Sequence, residues 1–298
     1  MKKATFFLLA LTSYGAEGSW TISAQPVEIF QGGIVEIRVS GKDLAAVKGL
    51  LRNQEIAFFP GETGSYSALL GVDLEEKPGT LEIVLQGLEK GGEKRDGLLV
   101  LRVREKMFPK ENLSVPAGFD RIDESLRKRI EKEQAALTRL WAVSSPRRSW
   151  EGRFVPPVSG AVTSPFGLRR VINGLERSPH GGVDLKASLG TEVVAANHGR
   201  VVLRDEFFFS GKSIVLDHGG GLYTMYFHLA DFNVDAGSQV RKGDSIGRAG
   251  MSGRATGPHL HWGARLNGAR VDPLELLNLN TAISSQRSAL SPELKAGR

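Results

Sequence analysis

The sequence predicts a mainly β protein: an N-terminal β-sandwich of immunoglobulin type, one linking amphipathic helix, and a C-terminal antiparallel β domain. Three observations predict it. Short β-branched and aromatic runs alternate with turn signals over residues 19–105, a single stretch with a 3.6-residue apolar period follows, and glycine-rich β runs resume after Val158. The 298 residues suit about two domains. With 41% hydrophobic and 24% charged residues, the chain is neither fibrous nor disordered overall.

Residues 1–18 read as an export signal. Lys2 and Lys3 precede the apolar stretch Ala4–Leu11, and small and polar residues follow around Gly15–Ser19. A stretch of eight residues is too short to cross a bilayer, which needs about 20. The expectation is an exported protein, periplasmic or otherwise in the cell envelope or outside it, with no stable membrane insertion after the signal is cleaved.

Over residues 19–105 the runs Trp20–Ala24, Ile34–Val39, Ile56–Phe59, Ser67–Val72, Leu81–Leu85 and Leu98–Val103 are the expected strands. Gln31-Gly32-Gly33, Pro60-Gly61, Lys77-Pro78-Gly79 and Lys90-Gly91-Gly92 are the turns between them. The segment contains no histidine, so it reads as an accessory domain. Residues 106–157 form a helical linker. Ile122, Leu126, Ile130, Leu137, Leu140 and Trp141 put one apolar face on a helix from Phe119 to Val143. The repeat is too short for a coiled coil, so the expected role is packing between the two domains. Residues 158–279 are the second β domain, and 280–298 a polar tail.

Composition removes several function classes. The chain has no cysteine, which excludes disulfides, thiolate zinc fingers, iron–sulfur clusters and a cysteine nucleophile. The net charge of +6 suits an anionic partner. No block of Lys/Arg marks a nucleic-acid tail, so no nucleic acid partner is expected. Nothing in the sequence fixes an oligomeric state.

All six histidines follow residue 179. His259 and His261 are two apart in an expected strand and so face the same way. His180-Gly181-Gly182-Val183-Asp184 reads as a turn presenting His180, followed by a strand carrying Asp184. Imidazole nitrogen and carboxylate oxygen are ordinary zinc ligands, and a catalytic zinc keeps three protein ligands and an open position. Without cysteine, a His/Asp site of that kind is the coherent metal option. His198 and His218 flank glycine turns and Asp272-Pro273 ends the last strand, all structural readings.

The flanks of these motifs resemble the lysostaphin-type (LytM-like) zinc metallopeptidases that cleave peptidoglycan cross-links. The matching residues are Ser164–Arg169 (SPFGLR), His180–Asp184 (HGGVD), Gly190–Ala196, Ile214–Gly219, Tyr226–Leu229, Val240–Asp244 and Thr256–His261 (TGPHLH). The resemblance implies one zinc per chain held by His180, Asp184 and His261. It also implies a catalytic, unligated pair, His228 and His259, that hydrogen-bonds the reacting water and the developing oxyanion. The implied partner is the peptide stem of peptidoglycan. Three departures stand out: the insert Arg170–Ser178, the run Glu206–Phe209 in place of a glycine-rich hairpin, and Trp262-Gly263 where many relatives carry Phe-Glu. Gly263 removes an acidic group expected to buttress the site. Against the peptidase stands a non-catalytic domain of the same type that binds cell wall or activates an amidase; the complete His/Asp set speaks for the enzyme. A D-Ala carboxypeptidase of another zinc family fits neither the His180–Asp184 spacing nor the Gly-Pro-His-Leu-His string.

Overall fold

Strict alternation of apolar and polar residues builds the N-terminal half. In Gly79–Glu89, Leu81, Ile83 and Leu85 are buried while Glu82, Val84 and Gln86 face solvent, the mark of a strand with one face in a core. The computed structural model describes residues 20–279 except 53, 63, 115–122, 144 and 146. The expected export signal, the start of the expected helix and the polar tail lie outside the described residues. Nine strands come first: β1 (Thr21–Gln25), β2 (Glu28–Phe30), β3 (Ile34–Ser40), β4 (Leu44–Leu51), β5 (Gln54–Ala57), β6 (Phe59–Pro60), β7 (Ser65–Gly71), β8 (Gly79–Glu89) and β9 (Lys94–Arg104). They form two sheets, ordered β1-β3-β7-β6 and β2-β9-β8-β4-β5, in which only β2 and β9 run parallel. Ile22, Ile37 and Leu70 of the first sheet meet Ile83, Leu85 and Leu101 of the second in one apolar core. β4 was not among the expected strands. A bulge between Leu44 and Ala46 breaks its period of two, so the apolar spacing does not read as a strand.

The chain then passes through β10 (Lys110–Leu113) and α1 (Glu124–Trp141). Asp123 caps α1 by accepting the Leu126 N–H. The C-terminal domain holds β11 (Val162–Ser164), β12 (Arg169–Ile172), β13 (Leu175–Glu176), β14 (Gly182–Lys186), β15 (Glu192–Val194), β16 (Gly199–Phe207) and β17 (Gly211–Gly219). It continues with β18 (Leu222–Phe232), β19 (Gln239–Val240), β20 (Ser245–Ala249), β21 (His259–Leu266), β22 (Ala269–Val271) and α2 (Pro273–Leu277). Its main sheet runs β11-β14-β21-β18-β17-β16-β19, all antiparallel. Asp272 ends β22 by capping α2, with Pro273 at the first helical position.

The two halves share a core. Ile34, Leu69 and Leu74 belong to the apolar cluster of the C-terminal domain, beside Leu266 and Val271. An alanine methyl at Gly71 would stand 2.7 Å from the Leu266 carbonyl, so only glycine lets β7 approach this closely. Asp73 receives the Arg270 guanidinium at 2.7 and 3.1 Å, and Glu75 takes it at 2.7 Å.

The insert is a hairpin, β12–β13, and β10 pairs in parallel with its first strand. The helix takes a different place from the one expected between domains. Its described contacts run to the C-terminal sheet: Trp141 meets Tyr223 edge-on at 5.3 Å, Arg129 donates to the Glu206 carbonyl, and Glu133 accepts the Phe208 N–H. Only Ile130 of α1 is buried. The polar groups that clamp the Glu206–Phe209 turn carry no apolar period, so the sequence pattern could not place this contact.

Candidate metal centre

Register puts the site together. β14 and β21 pair with Asp184 opposite His261, and β18 and β21 pair with Phe227 opposite His261. On β21 the period of two turns His259 and His261 to one face, and β14 delivers Asp184 to that same face. Gly182 allows the close approach, since a Cβ there would sit 2.8 Å from His261 Nε2 and 2.5 Å from the Trp262 carbonyl. His180 precedes β14 in an irregular segment, as the two glycines after it require.

Three donor atoms converge. His180 Nε2 lies 2.9 Å from His261 Nδ1 and 3.1 Å from Asp184 Oδ1, and His261 Nδ1 lies 3.0 Å from the same oxygen. His180 Nδ1 is 3.0 Å from the Pro165 carbonyl, which can only accept, so that nitrogen carries the proton and Nε2 offers a lone pair. A lone pair facing a carboxylate oxygen and a second imidazole nitrogen is repulsive unless a cation stands among them. Burial pushes the Asp184 carboxyl up, but the imidazoles of His180 and His261 packed against it outweigh that and hold it far below the usual carboxylate range. His180, Asp184 and His261 can therefore hold a metal ion, and the donor set of two nitrogens and one oxygen suits zinc.

His228 and His259 stand beside them. Their rings are 4.8 Å apart, and His259 Nε2 is 3.8 Å from Asp184 Oδ1. Each has its Nδ1 fixed by a carbonyl: Ser252 at 2.9 Å for His228, Gly257 at 2.8 Å for His259. Both Nε2 atoms are thereby left as acceptors. His228 sits at φ 62°, where β18 carries one residue more than β17 between the pairs Lys212–Leu229 and Ile214–Tyr226. This bulge turns the side chain out of the regular alternation and toward the site. Burial depresses His228 to about 4, so it is neutral at neutral pH.

His198 and His218 lie apart from this cluster. His218 is fully buried, with Nδ1 2.7 Å from the His198 carbonyl and Nε2 2.7 Å from Thr224 Oγ1. Four groups at the site escape sequence reasoning: the carbonyls of Pro165, Gly257 and Ser252, and the Phe227 ring stacked on His261 at 5.3 Å and 6°. Carbonyls leave no side-chain signature. Of the Glu206–Phe209 run, Phe207 enters the core at 6% exposure and only Phe209 forms an exposed rim.

Residues 178–273 match the model of peptidase family M23. The chain carries an M23 domain. Relatives outside this chain are named by activity: a DD-carboxypeptidase/endopeptidase of Neisseria meningitidis is 37% identical over 121 residues, 41% of this chain and 28% of its own length. The peptidoglycan DD-endopeptidase ShyA of Vibrio cholerae is 35% identical over 115 residues, 38% of this chain and 27% of its own. The chain thus spans little more than a quarter of these relatives. A crystal structure from Pseudomonas aeruginosa assigned to peptidase M23 superposes with a TM-score of 0.65 at 29% identity, covering 83% of this chain and 94% of that one. A share that large carries the likeness beyond the M23 domain into the N-terminal sheets.

Proposed function

We propose that this protein is a zinc metalloendopeptidase that hydrolyses peptide cross-links of peptidoglycan in the cell envelope. The observation that carries the reading is the convergence of His180 Nε2, Asp184 Oδ1 and His261 Nδ1 beside two imidazoles whose Nε2 atoms are acceptors. The M23 domain and the peptidoglycan DD-endopeptidases similar to it supply the substrate class.

His180, Asp184 and His261 would hold one zinc ion. When bound, zinc supplies Lewis acidity that polarises the scissile carbonyl and makes a water molecule nucleophilic at neutral pH. The chain supplies the proton handling. His228 Nε2 or His259 Nε2 accepts the proton of the attacking water and returns it to the departing amine. While it holds that proton, the same imidazole can donate to the oxyanion. Neutral His228 is in the form that such a base requires. Ser252 and Gly257 hold the two rings in the productive tautomer through their carbonyls.

Incubating the full chain with purified sacculi, with and without added zinc, and identifying the released muropeptides by mass tests the proposal. Conversion of cross-linked dimers to monomers, abolished by a chelator and restored by zinc, is the expected result. Intact dimers with the zinc-loaded protein would refute it.

A further inference from the structure

The turn at residues 208–210, between β16 and β17, reaches both unligated imidazoles of the site at one remove. The Ser210 carbonyl accepts the His228 N–H at 2.8 Å, beside the bulge that aims the ring. The Phe209 carbonyl accepts the Arg254 N–H at 2.9 Å, and the Arg254 guanidinium lies 5.9 Å from the centre of the Phe209 ring. Just past the turn, Lys212 donates its N–H to Ser252 Oγ at 2.8 Å. A Cβ at Gly253 would stand 2.3 Å from the Gly211 nitrogen, so turn and loop meet backbone to backbone. The loop held in this way is 250–258, whose Ser252 and Gly257 carbonyls fix Nδ1 of His228 and of His259.

A further anchor of the same turn comes from outside the sheet. Phe208 donates its N–H to Glu133 Oε2 at 2.9 Å, and the other oxygen, Oε1, takes Arg129 Nε at 2.7 Å. Arg129 also donates to the Glu206 carbonyl at 3.5 Å. Glu133 is out of place as a packing residue. It lies within the apolar stripe of α1, three residues after Ile130 and four before Leu137, and its side chain is only 14% exposed. A carboxylate covered to that extent is costly unless it is paired. Here one oxygen holds the turn and the other is held by Arg129, which orients the group. An apolar residue would serve helix packing better at this place, so what the carboxylate adds is a fixed position for the turn.

We propose that Glu133 is a positioning residue of the reaction: by fixing the turn, it holds the backbone of His228 and the loop that sets the tautomer and aim of both His228 and His259. The inference rests on the peptidase reading above. Glu133 acts from α1 through backbone contacts in series. His180, Asp184 and His261 are carried by β14, β21 and the segment before β14, outside that series, so metal binding is not its task. Loss of the acceptor frees the Phe208 N–H and lets turn, His228 and loop shift together. A misplacement of about 1 Å at reacting groups can cost about 100-fold in rate.

The test uses the zinc-loaded full chain and cross-linked muropeptide dimers, at a temperature where every variant compared is folded. E133A should lower kcat about 10- to 100-fold, with KM within about threefold of the parent and zinc content unchanged. E133Q keeps an oxygen for the Phe208 N–H and should recover most of kcat. In NMR of the imidazoles, the Nδ1–H of His228 should exchange with solvent faster in E133A than in the parent, because its bond to the Ser252 carbonyl is loosened. I83V, in the sandwich core, should lower the melting temperature with kcat unchanged, which is what a merely structural loss looks like. Should E133A fail to fold, R129A carries the test, because the carboxylate stays but loses the donor that orients it; kcat should then fall about three- to tenfold at an unchanged KM. Parent kcat in E133A, or in R129A where that variant stands in, would overturn the proposal while leaving the peptidase reading intact. So would a loss in E133A that E133Q does not rescue. No cleavage by the zinc-loaded parent would overturn both.

Discussion

The two faces of the C-terminal sheet use the same residue types for opposite ends. On one face His180, His228, His259 and His261 each keep a nitrogen directed at the Asp184 cluster, and three of them have the other nitrogen tied to a backbone carbonyl. On the other face His218 commits both nitrogens, to the His198 carbonyl and to Thr224, whose hydroxyl bonds on to Tyr226 at 3.0 Å. What separates the histidines of the candidate metal centre from the structural one is therefore not burial. His228 and His218 are both depressed to about 4 by desolvation. The difference is whether a lone pair is left without a partner in the chain. A satisfied network stiffens the sheet, and an unsatisfied one beside it leaves atoms that could hold a cation.

The largest expected effect removes the cation. His180→Ala, Asp184→Ala and His261→Ala should each lose most bound zinc by elemental analysis, and sacculus cleavage should fall by at least about 10⁴-fold, beyond the range of one acid–base group. Full zinc in all three variants would erase the contrast between the two faces. The next effect separates metal binding from chemistry. His228→Ala and His259→Ala should keep zinc and lower kcat by about 10²–10⁴-fold, with a much smaller change in KM. A variant that loses zinc along with activity would make that histidine a ligand.

The site was legible in the sequence because its side chains sit in short, local patterns. His259-Leu260-His261 in a strand needs only a period of two to place both rings on one face, and Gly181-Gly182 excludes the helix that would otherwise relate His180 to Asp184. The sandwich strands were legible wherever alternation is clean, as in β8, and illegible in β4, where a bulge shifts the pattern. What the sequence could not show is long-range and carried by backbone. The Pro165 carbonyl that fixes His180 has no side-chain signature, and α1 is placed on the site-bearing face by Glu133, a charge set within its apolar stripe, and by Arg129 at the edge of that stripe. The positive φ of His228 depends on a count of residues in two paired strands, which appears only when the pairing is known.

His218 offers the complementary prediction on the buried face. Its pKa is about 4 folded and 6.5 in the unfolded chain, so the unfolded state binds the proton first as pH falls. Stability is full above about pH 6.5 and declines toward pH 4, at up to about 1.4 kcal/mol per pH unit, or about 2 kcal/mol by pH 5. His218→Gln should therefore lower the melting temperature at pH 7.5, where two hydrogen bonds are disturbed, yet narrow the drop between pH 7.5 and pH 5 relative to the parent. Zinc content should not change. Zinc-loaded protein is used throughout, so that the histidines of the metal centre contribute equally to both curves. An undiminished acid sensitivity would place the titrating group elsewhere.

The smallest effect lies between the two faces, at Ser252. Its carbonyl fixes His228, and its hydroxyl fixes the carbonyl: Oγ donates to the Leu229 carbonyl at 2.7 Å and accepts the Lys212 N–H at 2.8 Å. Ser252→Ala keeps the carbonyl but loosens the loop that aims it. About 1–3 kcal/mol of stability is at stake for the two backbone groups left without the hydroxyl, less wherever water reaches them. The catalytic cost should be smaller than that of His228→Ala, about three- to tenfold in kcat, because the ring keeps its tautomer and loses only alignment. KM and zinc content should hold near the parent values, and Ser252→Thr, which restores the hydroxyl, should recover most of the rate. A loss as large as that of His228→Ala would mean that the loop itself touches the substrate, and a loss in zinc would tie Ser252 to the metal centre instead of to the base.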